Sequence, residues 1–152
     1  MKRFTDDAKW RDPWFRNLTS TSKLFYLYLL DNCDNSGVWE RDDSRFMWEA
    51  GTDIVVDAHL EELGDRVILL GSGRVLLPKF VHFQQGGALS EAKPPHRQIL
   101  QLLQKHGLEV DPKANGNLTI TKAKANGNLT VTLPKVTSKG KGKGKGKGEG
   151  GE

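Results

Sequence analysis

Apolar positions crowd into one stretch, Asp12 to Glu40, which holds Trp14, Phe15, Leu18, an unbroken run from Leu24 to Leu30, then Val38 and Trp39. Within the run, Leu24, Leu27 and Tyr28 share one helical stripe, and Phe25 and Leu29 share the next. A helix that is apolar on most of its circumference belongs inside a core. The spacing predicts it over Ser20 to Cys33, with the Thr19 hydroxyl free to accept from an amide of the first turn. The turn formers Asp31 to Gly37 stop it. A short strand, Gly37 to Arg41, is expected next, and the Trp14–Phe15 pair is expected to fold back over the helix as a lid.

Shorter patterns follow. Asp42, Asp43 and Ser44 can cap a second helix, Ser44 to Ala50, which Gly51 breaks. A third, Ile54 to Leu63, is capped by Thr52 or Asp53 and has Gly64 where a helix-ending glycine belongs. The period then changes. Val67–Leu70 and Arg74–Pro78, around Gly71-Ser72-Gly73, read as a β-hairpin. Lys79 to Phe83 reads as a continuation in extended form. Pro94-Pro95-His96 opens a last helix, Arg97 to His106, and Gly107 ends it. Arg3-Phe4-Thr5 reads as an edge strand. Helix, strand, helix, turn, helix, hairpin, helix is the element order of a winged helix-turn-helix: an α+β fold, mainly helical, with a small antiparallel sheet.

Composition shifts after Asp111-Pro112. The segment Lys113–Thr121, KANGNLTIT, recurs as Lys124–Thr132, KANGNLTVT. Two short copies are too few for a solenoid, and a lone hairpin formed between them is marginal in water. From Ser138 lysine alternates with glycine, a composition that predicts disorder. The expected organisation is a winged-helix domain over 1–110, a linker over 111–137 and a basic tail over 138–152. The overall charge of +4 is divided unevenly. Residues 1–112 hold 14 Lys and Arg against 17 Asp and Glu, a net of −3, whereas residues 113–152 hold 9 Lys against 2 Glu, a net of +7. The longest apolar run is far shorter than the roughly 20 residues of a membrane span. The first residues are charged, with no apolar signal segment. A cytoplasmic protein that does not engage a membrane is expected, and the single Cys33 agrees with it, since no disulfide framework is possible.

Candidate chemistry is sparse. Cys33 has no neighbouring base and reads as a packed thiol. His59, His82, His96 and His106 lack metal-ligand spacing. Gly71-Ser72-Gly73 lacks the rest of a nucleotide-binding fingerprint. Asp42-Asp43 and Glu61-Glu62 are sequence neighbours and point different ways on a helix, so neither pair makes a catalytic dyad. No enzyme activity and no cofactor are expected. The third helix would enter a DNA groove in this fold, yet it carries Asp53, Asp57, Glu61 and Glu62 with no Lys or Arg, and phosphates would repel it. The candidate DNA contacts are Thr52 and His59 at exposed positions of that helix and its start, Arg66, Ser72 and Arg74 on the hairpin, Lys79, and the tail lysines Lys141, Lys143, Lys145 and Lys147.

One resemblance covers about residues 3–108. Arg3-Phe4-Thr5, Trp10 to Leu18, Lys23-Leu24, Tyr28 to Asn35, Gly37 to Glu40, Leu63 to Val67, Pro78 to Val81, Phe83-Gln84, Pro95-His96 and Lys105 to Leu108 form an ordered set. It resembles the N-terminal winged-helix domain of phage replication proteins of the replisome-organiser type. The resemblance implies a non-enzymatic protein in the bacterial host cytoplasm that binds double-stranded DNA at a phage origin. It also implies recruitment of replication proteins such as a helicase or helicase loader, with homo-oligomers as a further partner class. The alternative is a protein-interaction module or a transcriptional regulator built on the same fold, with only nonspecific DNA affinity from the tail.

Overall fold

The long helix of the apolar stretch, α2 (Ser20–Asn32), is the axis of the fold. The Thr19 side chain accepts from the Ser22 amide, and Phe25 and Leu29 are completely buried. The structure, a computed structural model, describes residues 2–86, 89–111 and 119–122. In chain order the other elements are a 3-10 turn at Asp7–Arg11, α1 (Pro13–Arg16), β1 (Val38–Glu40), α3 (Asp43–Ala50), α4 (Val56–Leu63), a 3-10 turn at Gly64–Arg66, β2 (Ile68–Leu70), β3 (Arg74–Leu76), α5 (Phe80–Gln85), α6 (Pro94–Lys105), β4 (Leu108–Asp111) and β5 (Thr119–Lys122). Helix dominates, and the sheet at the core is small and antiparallel.

That sheet has the order β1-β3-β2, so the strand next to α2 in sequence pairs with the far arm of the hairpin. Val38 lies opposite Leu76 and Trp39 opposite Val75, and all four are buried. Aromatic edges join the layers: Phe25 meets Phe46 at 5.0 Å and Trp39 at 5.8 Å between ring centroids, and Tyr28 meets Phe46 at 4.7 Å. Offset edge-to-face pairs of this kind add to the area that they bury. Leu60 and Leu63 bring α4 onto the same core, and Ile99 and Leu103 bring α6. Cys33 is packed there too, and burial, the largest cause, pushes its thiol up to about 12. It is no nucleophile at neutral pH.

Several expectations are corrected. The Trp14–Phe15 pair does fold back onto α2, both rings packing on Tyr26, but Phe15 goes further than a lid and is fully buried in the core. Lys79–Phe83 does not stay extended. Phe80 and Val81 are both buried, and α5 achieves this by turning as a helix, closed by Gly86 at φ 72°. Alternation over four residues fits strand and helical turn alike, and packing decides between them. Arg3–Thr5 is no edge strand. The Gln84 side-chain amide pairs with both backbone groups of Phe4, accepting from its N–H at 3.0 Å and donating to its carbonyl at 2.9 Å. The third helix starts at Val56 rather than Ile54, with no side-chain cap. Thr52 belongs to the end of α3, where its amide reaches the Met47 carbonyl behind the left-handed Gly51. The last helix starts earlier than predicted, at Pro94, because a proline at the first position needs no amide partner. The first repeat copy supplies β5, which pairs with β4, Val110 opposite Ile120. The second copy and the Lys/Gly tail, with Lys141, Lys143, Lys145 and Lys147, lie outside the described residues.

Candidate functional site: a charge-segregated surface

Of the six predicted DNA contacts among the described residues, three, His59, Arg66 and Arg74, are engaged inside the domain. Arg66 lies over the Trp14 ring, 4.4 Å from its centroid, and pairs with Asp12 at 3.4 Å. Arg74 donates to the Gly71 carbonyl at 3.2 Å and to His106 Nδ1 at 3.1 Å. A guanidinium can only donate, so His106 accepts at Nδ1 and its Nε2–H goes to Asp34 Oδ2 at 2.7 Å. The other Asp34 oxygen accepts from the Ser36 and Val38 amides at 2.8 and 3.2 Å. This chain of contacts ties the hairpin, the end of α6 and the turn after α2 into one rigid unit. Lys79 and Ser72 are exposed, and Ser72 holds a left-handed φ of 65° at the hairpin tip. Lys79 and Arg66 line one cleft of about 770 Å³ with Arg3, Phe4 and Phe83, away from the hairpin tip.

His59 is also spoken for. Glu62, one turn along α4, accepts from the Thr19 amide at 2.6 Å, from the Thr19 hydroxyl at 2.9 Å and from the Ser22 hydroxyl. Ser22 in turn receives the Nδ1–H of His59 at 2.6 Å. Glu62 therefore caps α2 from a different helix, satisfying amide and hydroxyl donors at a helix start. Burial pushes the Glu62 carboxyl up, but the hydrogen bonds from Ser22 and Thr19, with His59 beside it, outweigh this and hold it below its usual 4.5. A carboxylate with a depressed folded value stabilises the fold above the unfolded value and loses that contribution as pH falls through the folded one. Glu62→Gln is expected to lower stability by about 1–2 kcal/mol at pH 7. The gap from wild type should narrow below pH 4.5, the carboxyl's usual value, which urea melts at pH 7 and pH 3.5 would measure. A gap that stays constant across both pH values would contradict the capping role.

The acids of the helix pair thus have structural work, yet the surface that they leave is strongly negative. From Val38 to Asp65 the chain carries nine Asp and Glu against Arg41 and Arg45, a net of −7. Both arginines are occupied. Arg41 bonds Asp43 at 2.7 Å and Asp57 at 2.6 Å, and those two hydrogen bonds raise its already high pKa, while the bond from Arg41 lowers that of Asp57. Arg45 pairs with Glu49 at 2.8 Å. Within the same stretch Trp48 is 82% exposed and Val55 69% exposed.

The opposite sign lies elsewhere, on a stretch whose Lys93 and Arg97 also read from the sequence as possible phosphate contacts. From Lys93 to Lys105 there are three cations, Lys93, Arg97 and Lys105, and no carboxylate. Arg3, a further cation of that possible phosphate stripe, instead closes the C-terminal end of α2, donating to the carbonyls of Leu30 at 2.8 Å and Asp31 at 2.9 Å. Among the described residues no group of three or more His, Cys, Asp and Glu could hold a metal ion, and no helix is long and apolar enough to cross a membrane. Comparison with protein-family models, curated proteins and solved structures gives no match.

Proposed function

We propose that this chain is a non-enzymatic adaptor on a winged-helix scaffold, joining DNA to a replication protein. The element order and the antiparallel β1-β3-β2 sheet support the winged-helix reading, with the β2–β3 hairpin as the wing and α3–α4 as the helix-turn-helix pair. The observation that carries the adaptor reading is the acidic α3–α4 surface with Trp48 standing out of it. Phosphates are repelled by such a surface. A large exposed aromatic group rimmed by charge is instead suited to anchoring a protein partner, here one with a basic patch. The resemblance to replisome organisers makes a helicase or helicase loader the partner class, and phage replication initiation the setting.

The test is an amide-resolved NMR titration of the full chain with a 20-base-pair duplex near ~150 mM salt, where purely electrostatic binding has largely faded. The expected result is no shift in α4 or in the Trp48 indole. Trp48→Ala is expected to weaken binding to the helicase or loader by about tenfold or more, in the range of an interface anchor. Shifts concentrated in α4 on adding DNA would sink the adaptor reading and restore groove reading by the helix-turn-helix.

A further inference from the structure

We infer that duplex DNA is gripped and read by the outer face of α6, rather than by α4. This rests on the adaptor reading insofar as that reading requires the chain to hold DNA. It adds which element does so and by what chemistry.

α6 buries His96, Ile99 and Leu103 and turns Arg97, Gln98, Gln101, Gln104 and Lys105 outward. The steps from 97 to 101, 98 to 101, 101 to 104 and 101 to 105 are each three or four residues, so these five side chains form one stripe. The stripe runs about 12 Å from Arg97 to Lys105 at 1.5 Å per residue. A helix with its side chains is about 10–12 Å across, and a B-DNA major groove about 12 Å wide admits it. Solvated helix faces ordinarily mix glutamate with lysine, because such pairs support the helix. This one carries no acid at all.

Its polar groups are of the kinds that complement DNA. Arginine and lysine meet phosphates or the acceptor edge of guanine, and glutamine can pair twice with adenine. Apart from a long 3.5 Å contact from Asn35 to Gln98, the glutamine amides have no side-chain partner among the described residues. The charge contrast supplies orientation, since −7 over Val38–Asp65 and +3 over Lys93–Lys105 favour docking by α6. Lys105 lines a groove of about 890 Å³ that also holds Asp42 and Asp43, so acid bounds the stripe at its C-terminal end. The Arg97 end is therefore the phosphate-facing one.

The experiment uses the full chain, with its tail, in selection from a random duplex pool followed by salt titration of the selected and random duplexes. Gln98→Ala/Gln101→Ala/Gln104→Ala leaves the net charge unchanged. It is expected to abolish the selected sequence preference, while random-duplex affinity stays within about twofold, because base contacts specify and phosphate contacts position. Arg97→Ala is expected to reduce the salt slope of log K by about one and to weaken random and selected duplexes alike. Lys105→Ala should do less. All five side chains are on the surface, so circular dichroism and melting should be unchanged. A sequence preference that survives the triple variant, or an Arg97→Ala slope equal to wild type, overturns the assignment to α6. If the wild type binds DNA no better than a peptide of residues 138–152, the DNA half of the adaptor reading falls, and this inference with it. Loss of helicase or loader binding on Trp48→Ala alone would leave this inference intact.

Discussion

Phe25→Ala is expected to cost about 3–5 kcal/mol, the range for truncating a buried aromatic ring. Phe25 has no exposed surface and sits between Phe46 and Trp39, at 5.0 and 5.8 Å. Its ring is the contact through which α2, α3 and β1 meet. The cavity cannot collapse easily, since its walls come from three elements that are each held elsewhere. Tyr28, hydrogen-bonded to Glu49 at 2.7 Å, fastens α2 to α3, and the Val38–Leu76 pairing fixes β1. Small domains have only about 5–15 kcal/mol in total. At about 4–8 °C per kcal/mol, the melting temperature should fall by roughly 12–40 °C. Thermal melts followed by near-UV circular dichroism would measure it, with Phe25→Leu as the milder comparison. A loss below about 1.5 kcal/mol for the alanine variant would mean that the ring is not the centre of the core.

The second large effect is expected at Gly37. It sits at φ 83°, in the turn that carries the chain from α2 into β1. A Cβ placed there would lie 2.9 Å from the Leu77 carbonyl oxygen and 2.9 Å from Phe80 Cβ. Both neighbours are held: the Leu77 amide donates to the Gly37 carbonyl at 2.8 Å, and Phe80 is buried. The backbone itself would have to move, which detaches the start of β1 from the segment leading into α5. Gly37→Ala is expected to cost about 2–4 kcal/mol, the left-handed penalty plus the clash. Gly51→Ala is the matched control. Gly51 has φ 66° with nothing within 4 Å, so only the conformational penalty of about 1 kcal/mol applies. Equal losses for the two variants in urea melts would show that the close approach at Gly37 does not matter.

The two predictions differ in how visible their causes are. Phe25 could be assigned to the core from the sequence, because its helical stripe is apolar and long. The turn after α2 was also legible in Asp34-Asn35-Ser36-Gly37, but the closeness of Leu77 and Phe80 to Gly37 was not. Those residues lie about forty positions away, and only the packing of α5 brings them there. The same distance in sequence hid the contacts of Glu62 with Thr19 and of His106 with Asp34 and Arg74. Arg66 and Arg74 were sensible DNA candidates as isolated arginines. Their partners, Asp12 with Trp14 and His106, come from remote segments and occupy them. The carboxylate-free run of α6 and its glutamines spaced by three were readable in Pro94–Lys105. What could not be read there was whether another element covers that polar side; the structure leaves Arg97, Gln98, Gln101, Gln104 and Lys105 exposed.

By itself, the sequence determined the run of elements from α2 to the hairpin, the end of α3 at Gly51 and the split in charge between residues 1–112 and 113–152. These depend on local periodicity, turn chemistry and charge counts, which act over a few residues or simply add. Only the tertiary structure decided the burial of Phe15, the helical turn at Phe80–Gln85, the use of Glu62 as a cap for another helix, and the exposure of Trp48 and of the α6 glutamines. Each of these is a choice between states that short sequence leaves nearly equal in energy, and long-range packing breaks the tie.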